Sequence, residues 1–405
     1  MKILLINNFH YIKGGSDAVY FNMARMLTSM GHQVVFFSCK SCHNLDYGRN
    51  DHFVEANSDI NPIVGAMRYI YNGAAKRALE RLLKEHKPDI AHIHLFWGGL
   101  SSSILGVLNR HNIPVVHTVH DYRLICPAYL LRRTDGTICH SCNRANALSC
   151  IKYRCANSSL IRSGLMATEF HLRNRFIRPL RAIDGFIFVS HFNYNEHLKA
   201  LPELAEKHIL VAHNAIEMPS KEVISSNIGD YYLYFGRLSS EKGLTTLIKA
   251  FNTLPHLRLK IVGEGALRET LQNIAGPNIE FCGYQSGEAL RQTILHCKAN
   301  IVASECYENN PMSVIESCAL GIPTIGAHIG GIPEIILEGK TGYTFTSKST
   351  TELRQAVLSF ENLSAEEYNT MSRACREFAC NNFSEDKLYY KIINFYTSIL
   401  DSYDS

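Results

Sequence analysis

The sequence is poor in tryptophan, with one, and in proline, with 12 among 405 residues. Glycine adds only 26, so neither a collagen-like nor a low-complexity chain fits. No apolar run approaches the roughly 20 residues that cross a bilayer. The opening stretch Met1–Asn8 holds four apolar residues in a row, Ile3 to Ile6. That is too few for a signal-peptide core, so the expectation is a cytoplasmic protein. An excess of one charge is missing as well. Lys plus Arg number 41 and Asp plus Glu 37, a net +4. With 19 Phe and 20 Tyr, so small a charge excludes disorder as the main state. It also gives no reason to expect a nucleic-acid partner.

What is present is an ordinary globular composition, 46% hydrophobic, in a chain long enough for two to three domains. Short apolar runs alternate with helical patterns. Lys2–Ile6 reads as a buried strand, Gly14-Gly15 as a turn, and Val19, Met23, Met26 and Leu27 as one face of a helix that Gly31 ends. Strands follow around Val34–Phe37, Ile90–Leu95, Pro114–Val119 and Phe186–Val189, and Ile161, Leu165, Leu172, Phe176 and Leu180 mark one long helix. A polar stretch, Asn214–Asp230, with Pro219, Ser220, Ser225 and Ser226, reads as a linker. A second series then starts with strands at Tyr231–Phe235, Leu257–Val262, Ile279–Phe281, Ala299–Ala303 and Pro323–Gly326. Alternation of this kind gives an α/β protein of two doubly wound parallel sheets. In such sheets ligands bind beyond the carboxyl ends of the strands.

The strongest chemical signal is Glu308-Asn309-Asn310-Pro311-Met312-Ser313-Val314-Ile315-Glu316. Pro311 forces extended backbone before it, so a helix is expected to start at Pro311 or Met312. That leaves Glu308 in a loop and Glu316 one turn inside the helix. The first N–H groups, those of Met312, Ser313 and Val314, then suit an anion. Upstream, Arg237 and Lys242 share the loop Gly236–Gly243, and two cations on one glycine-bounded loop suit a diphosphate. A dinucleotide fingerprint is not completed: Gly263-Glu264-Gly265 is followed by Arg268 where a third glycine belongs.

These residues resemble the retaining glycosyltransferases of the GT-B fold grouped as family 4, also called group 1. The resemblance covers nearly the whole chain and rests on Gly14-Gly15, Arg237 and Lys242, Gly263-Glu264-Gly265, Glu308 with Glu316, and Gly330-Gly331-Ile332-Pro333-Glu334. It implies two Rossmann-like doubly wound domains facing each other across a cleft. The expected acceptor domain is 1–215 with a Cys-rich insertion at 122–157. Residues 216–384 would form the nucleotide-sugar domain, and 385–405 a C-terminal helix packing back on the first domain. Glu316 would hold ribose hydroxyls, Glu308 the transferred sugar, and Arg237 and Lys242 the diphosphate. His120, in His117-Thr118-Val119-His120-Asp121, would face the donor sugar. Gly14, Gly15, Gly263, Glu264, Asn310, Met312, Ser313 and Val314 complete the expected donor site. UDP-sugars are the first expected donors and GDP-sugars the next, with a saccharide or lipid-linked saccharide of surface-polysaccharide synthesis as acceptor. The chain has no Asp-x-Asp, the pair with which metal-dependent sugar transferases typically hold their ion. No catalytic metal is therefore expected. An epimerase of the same fold, or a non-catalytic sugar- or lipid-binding subunit, are the alternatives.

Thirteen cysteines are an odd number without an export signal, which points to free thiols or a metal site. Cys139-His140-Ser141-Cys142 has the gap of a zinc knuckle. Cys126, Cys139, Cys142 and Cys155, with Cys150 as substitute, suit one structural Zn²⁺ or are simply reduced cysteines in a loop. Between 151 and 182 stand seven Lys or Arg and one acid, Glu169. Interleaved with apolar residues, they suit either a core-facing helix with a basic rim or peripheral contact with the inner face of a membrane.

Overall fold

The computed structural model describes residues 1–47, 52–144, 146–220 and 228–404. Ser225 and Ser226 of the expected linker lie outside them. Two compact units emerge, residues 1–212 with 388–405, and residues 213–387.

The first unit is built on strands β1 (Lys2–Ile6), β2 (Gln33–Phe37), β5 (Ile90–Ile93), β6 (Val115–Val119), β7 (Gly185–Phe188) and β8 (His208–Val211). A small parallel pair, β3 (Cys39–Lys40) and β4 (Val54–Glu55), lies apart from them. The six pair in the order β2-β1-β5-β6-β7-β8, every pairing parallel. Helices must cover both faces of such a sheet, so its strands are near-continuous apolar runs: Ile3–Ile6 and Val115–Val119 are buried throughout. The helix Glu385–Asp404 completes this unit, setting Ile392, Phe395, Tyr396 and Ile399 into the core beside Ile3, Leu5 and Ile90.

The second unit carries β9 (Tyr231–Phe235), β10 (Arg258–Val262), β11 (Ile279–Gly283), β12 (Ala299–Val302), β13 (Thr324–Ala327) and β14 (Gly342–Phe345). Their order is β11-β10-β9-β12-β13-β14, again all parallel. That is the doubly wound nucleotide-binding order, reversing between β9 and β12. Leu247, Phe251, Ile261, Ile301 and Phe360 fill its core.

Two features depart from the sequence pattern. The long helix expected through Ile161–Leu180 is broken. It runs as Leu160–Leu172, widens into a π turn over Arg173–Ile177, and stops at Arg178, whose φ is +53°. Pro179 is the cause: its ring removes a donor and disfavours helical backbone at the preceding residue. The strands β8, which carries the apolar run Ile209–Ala212, and β14 were not among the expected elements.

Candidate functional site

In the second unit the strand order places the ends of β9 and β12 side by side at the switch point. The loop after β9 carries Arg237 and Lys242; the loop after β12 carries Ser304 and Glu308. The two loops are tied together, since the Glu305 N–H donates to the Glu241 carbonyl at 2.8 Å. Lys242 Nζ meets Glu308 Oε1 at 2.6 Å, and Ser304 Oγ donates to the same oxygen at 2.7 Å. Burial alone would push the Glu308 carboxyl up. Lys242, Ser304 and Arg237 outweigh burial and hold it below its usual range. Burial likewise opposes the charge on Lys242, yet Glu308 raises it. Both are therefore charged at neutral pH. Arg237 is exposed on the same loop. Ser304 was not legible in the sequence, because nothing marks one serine at a strand end until the loop folds back on Glu308.

The Gly330-Gly331 pair braces Glu308 from behind. The Gly331 N–H donates to the Glu308 carbonyl at 2.7 Å. Gly330, at φ +63°, lies so close that a Cβ there would strike the same carbonyl. Gly263, at φ +136°, is held as tightly: a Cβ would strike the Gly236 carbonyl. The turns after β9 and β10 therefore nest only because both are glycine. Glu264 is exposed and ion-paired with Arg268.

The helix after Pro311 runs Met312–Ala319. Glu316 sits on its second turn, and among the described residues its carboxylate meets no hydrogen-bond or ionic partner. Burial pushes this carboxyl up to about 7. One expectation for the helix start is corrected: the Val314 N–H is not available, because it donates to the Pro311 carbonyl at 3.1 Å. Tightening of the first turn into an i→i+3 bond is the reason. Asn310 has a different employment from the expected one. Its Oδ1 accepts the Asn214 N–H at 2.8 Å and its Nδ2 lies 3.2 Å from His213 Nδ1.

In the first unit, Gly14 is the extended N-cap of the helix Gly15–Ser29. Asp17 closes the turn, accepting the N–H groups of Lys13 at 3.2 Å and Gly14 at 3.1 Å. His120 follows β6 directly. Its Nε2 lies 2.9 Å from Nδ1 of His94, which follows β5, and the two rings are nearly parallel, 18° apart, with centroids 5.1 Å apart. His94 in turn stacks on His92, whose Nε2 and Nδ1 meet Thr118 Oγ1 at 2.6 Å and the Tyr396 hydroxyl at 2.5 Å. Burial lowers His92 and His120 to about 3 and His94 well below its usual value. All three rings are neutral. In the sequence His94 is one of several strand histidines and carries no signal of its own; only the neighbouring of β5 and β6 brings it to His120.

The cysteine insertion folds onto itself. A short hairpin bridged at Arg132 and Ile138 returns the chain, so that Cys126, Cys139, Cys142, Cys150 and Cys155 line one cavity of about 20 Å³. Among the described residues, no three His, Cys, Asp or Glu side chains are grouped closely enough to hold a metal ion. Of the basic stretch, Arg173 is not on a rim. It is buried over the Trp97 ring at 4.1 Å and pairs with Glu169 at 3.5 Å.

Residues 13–218 match the family model described as Glycosyltransferase Family 4, and residues 221–378 that described as Glycosyl transferases group 1. The chain belongs to glycosyltransferase family 4. Over 271 residues this family 4 chain is 26% identical to sulfoquinovosyl transferase SQD2 of Arabidopsis thaliana, covering 64% of this chain and 47% of that one. It spans about half the length of that relative, and 60% of a second, from Methanocaldococcus jannaschii. Sucrose-phosphate synthase of Thermosynechococcus elongatus is similar in structure at a TM-score of 0.70, with 16% identity and 99% of both chains covered. Anabaena HepE, solved with UDP and glucose, gives 0.63 at 16% identity, covering 98% of this chain and 100% of that one. At these identities the likeness shows the fold, that of the GT-B glycosyltransferases. Among the described residues of the family 4 chain, no helix is long and apolar enough to cross a membrane.

Proposed function

We propose that this chain transfers a sugar, with retention of configuration, from a nucleotide-diphosphate donor to a saccharide or lipid-linked saccharide in cell-surface polysaccharide synthesis. The observation that carries the reading is Glu316, a half-buried carboxylate that meets no partner among the described residues, on the same unit as the Lys242–Glu308–Ser304 set. Leaving such a group unpaired is unfavourable unless a ligand completes it, and two ribose hydroxyls are suitable donors. Lys242 has three N–H donors and gives one to Glu308, so others remain for phosphate oxygens. As the bond from the sugar to the β-phosphate oxygen breaks, its electron pair goes to that oxygen, the acceptor oxygen bonds to the same sugar carbon from the same face, and the acceptor proton passes to the departing phosphate. Fixed cations at Lys242 and Arg237, with the Met312 and Ser313 N–H groups, stabilise that charge. His120 contacts the donor sugar, and Glu308 its hydroxyls. UDP is the favoured nucleotide, in line with UDP bound to Anabaena HepE.

Peripheral contact with an anionic membrane belongs to the same reading and would bring a lipid-linked acceptor within reach. It is supported by Ile63, Met67, Ile161 and Phe176, which are 73%, 65%, 85% and 73% exposed. Arg162, Arg175, Arg178 and Arg181 lie along the same stretch of chain as Ile161 and Phe176.

The test is a thermal-shift screen against UDP-, GDP- and ADP-sugars. The true donor raises the unfolding temperature by mass action, and Glu316→Ala should abolish most of the rise. No shift with any nucleotide sugar would sink the reading.

A further inference from the structure

We infer that His94 is a positioning residue that fixes the ring orientation and tautomer of His120, so that His120 presents an Nδ1–H to its ligand. The inference rests on His120 being the donor-sugar contact, but its structural part stands alone. His94 Nδ1 and His120 Nε2 are 2.9 Å apart, so one of them must donate and the other accept. A neutral imidazole has one N–H and one lone pair. The other nitrogen of His94, Nε2, is buried and meets no partner. If His120 donated, His94 would carry its proton on that Nε2, an orphaned buried donor. If His94 donates from Nδ1, the orphan is only a lone pair. Orphaned N–H groups are the rarer of the two in folded proteins. His94 therefore donates, His120 accepts at Nε2, and the His120 proton resides on Nδ1.

His94 is itself held from both sides. The His92 ring stacks on it with centroids 4.6 Å apart, and the Tyr20 ring stands edge-on at 5.6 Å. His92 is anchored at both nitrogens by Thr118 and Tyr396. The ring of His94 is thus fixed by packing, and its N–H points where the backbone of β5 and β6 directs it.

The experiment is long-range ¹H–¹⁵N correlation spectroscopy of the imidazoles in the full chain, with His120 assigned by its absence in His120→Gln. His120 should show the Nδ1–H pattern in the unmodified protein. It should shift toward the Nε2–H pattern, favoured by free imidazole side chains, in His94→Leu. His94→Asn, whose amide can donate from nearly the Nδ1 position, should restore the Nδ1–H pattern. The kcat of His94→Leu should fall about tenfold or more, with partial recovery in His94→Asn. An Nε2–H tautomer in the unmodified protein, or a His120 signal indifferent to His94→Leu, would overturn the inference. A tautomer that shifts as stated while turnover stays unchanged would support the structural part and refute the role of His120 at the sugar.

Discussion

Glu316 is the residue whose chemistry depends most on its surroundings. Its carboxyl, ordinarily near 4.5, is pushed up to about 7 in the folded chain, because burial disfavours its charge. A raised value means that the folded state holds the proton more tightly than the unfolded one. The stabilising contribution is complete below about pH 4.5 and is lost as pH rises through about 7. Glu316→Gln removes this dependence, so the variant should gain on the order of 1–3 kcal/mol over the parent at pH 8 and little at pH 4. Urea unfolding at the two pH values measures it; equal gains at both would mean that the carboxyl is not buried as a charge. Lys242 and Arg237 act on a different quantity. On the proposed reading both would stabilise charge that develops only as the leaving group departs, so Lys242→Ala with Arg237→Ala should lower kcat about a hundredfold or more while the protein stays folded. Steady-state kinetics with the donor found by the screen decides it, and a double variant of undiminished kcat removes both from the diphosphate.

At the scale of elements, the insertion after His120 is a local fold: a hairpin, a short helix at Leu148–Lys152 and their turns around a cavity the size of one ion or water. The thiols are not drawn together to ligand distance, and zinc binding would draw them in as they lose their protons. If the insertion holds zinc, protein purified without chelators carries about one Zn²⁺ per chain, and Cys139→Ser loses it. Zinc far below one equivalent, with five titratable thiols in the stretch, would leave a cluster of reduced cysteines. The break at Arg178 and Pro179 has its own consequence. It divides the basic stretch into separate segments, so membrane contact would come from several short elements and not from one long amphipathic helix. Ile161→Glu with Phe176→Glu should reduce cosedimentation with anionic phosphatidylglycerol vesicles several-fold; unchanged binding would discard that surface.

At the scale of the whole molecule, the chain returns to its beginning. Residues 388–405 belong to the first compact unit although the second intervenes. Tyr396 is fully buried there and its hydroxyl reaches His92 at 2.5 Å, while Tyr389 bonds His32 at 2.9 Å and Tyr403 bonds Asp184 at 3.1 Å. Tyr396→Ala should destabilise the first unit by about 3–5 kcal/mol, as loss of a large buried aromatic does. Scanning calorimetry should show the transition of the first unit moving down while that of the second stays in place. A single unmoved transition would mean that this helix contributes little to the core.

The two parallel sheets were legible in the sequence. A strand buried on both faces must be an apolar run, and Lys2–Ile6 and Tyr231–Phe235 appear as strands with those very limits. The helix start after Pro311 was legible too, because proline restricts the backbone locally. The broken helix at Arg178 had its signal in Pro179, overridden by the apolar spacing around it. Tertiary structure alone decided the rest. Ser304 on Glu308, His94 on His120 and the lone carboxylate of Glu316 depend on which strands become neighbours. Strand order is set by packing across the whole sheet, and no window of sequence contains it.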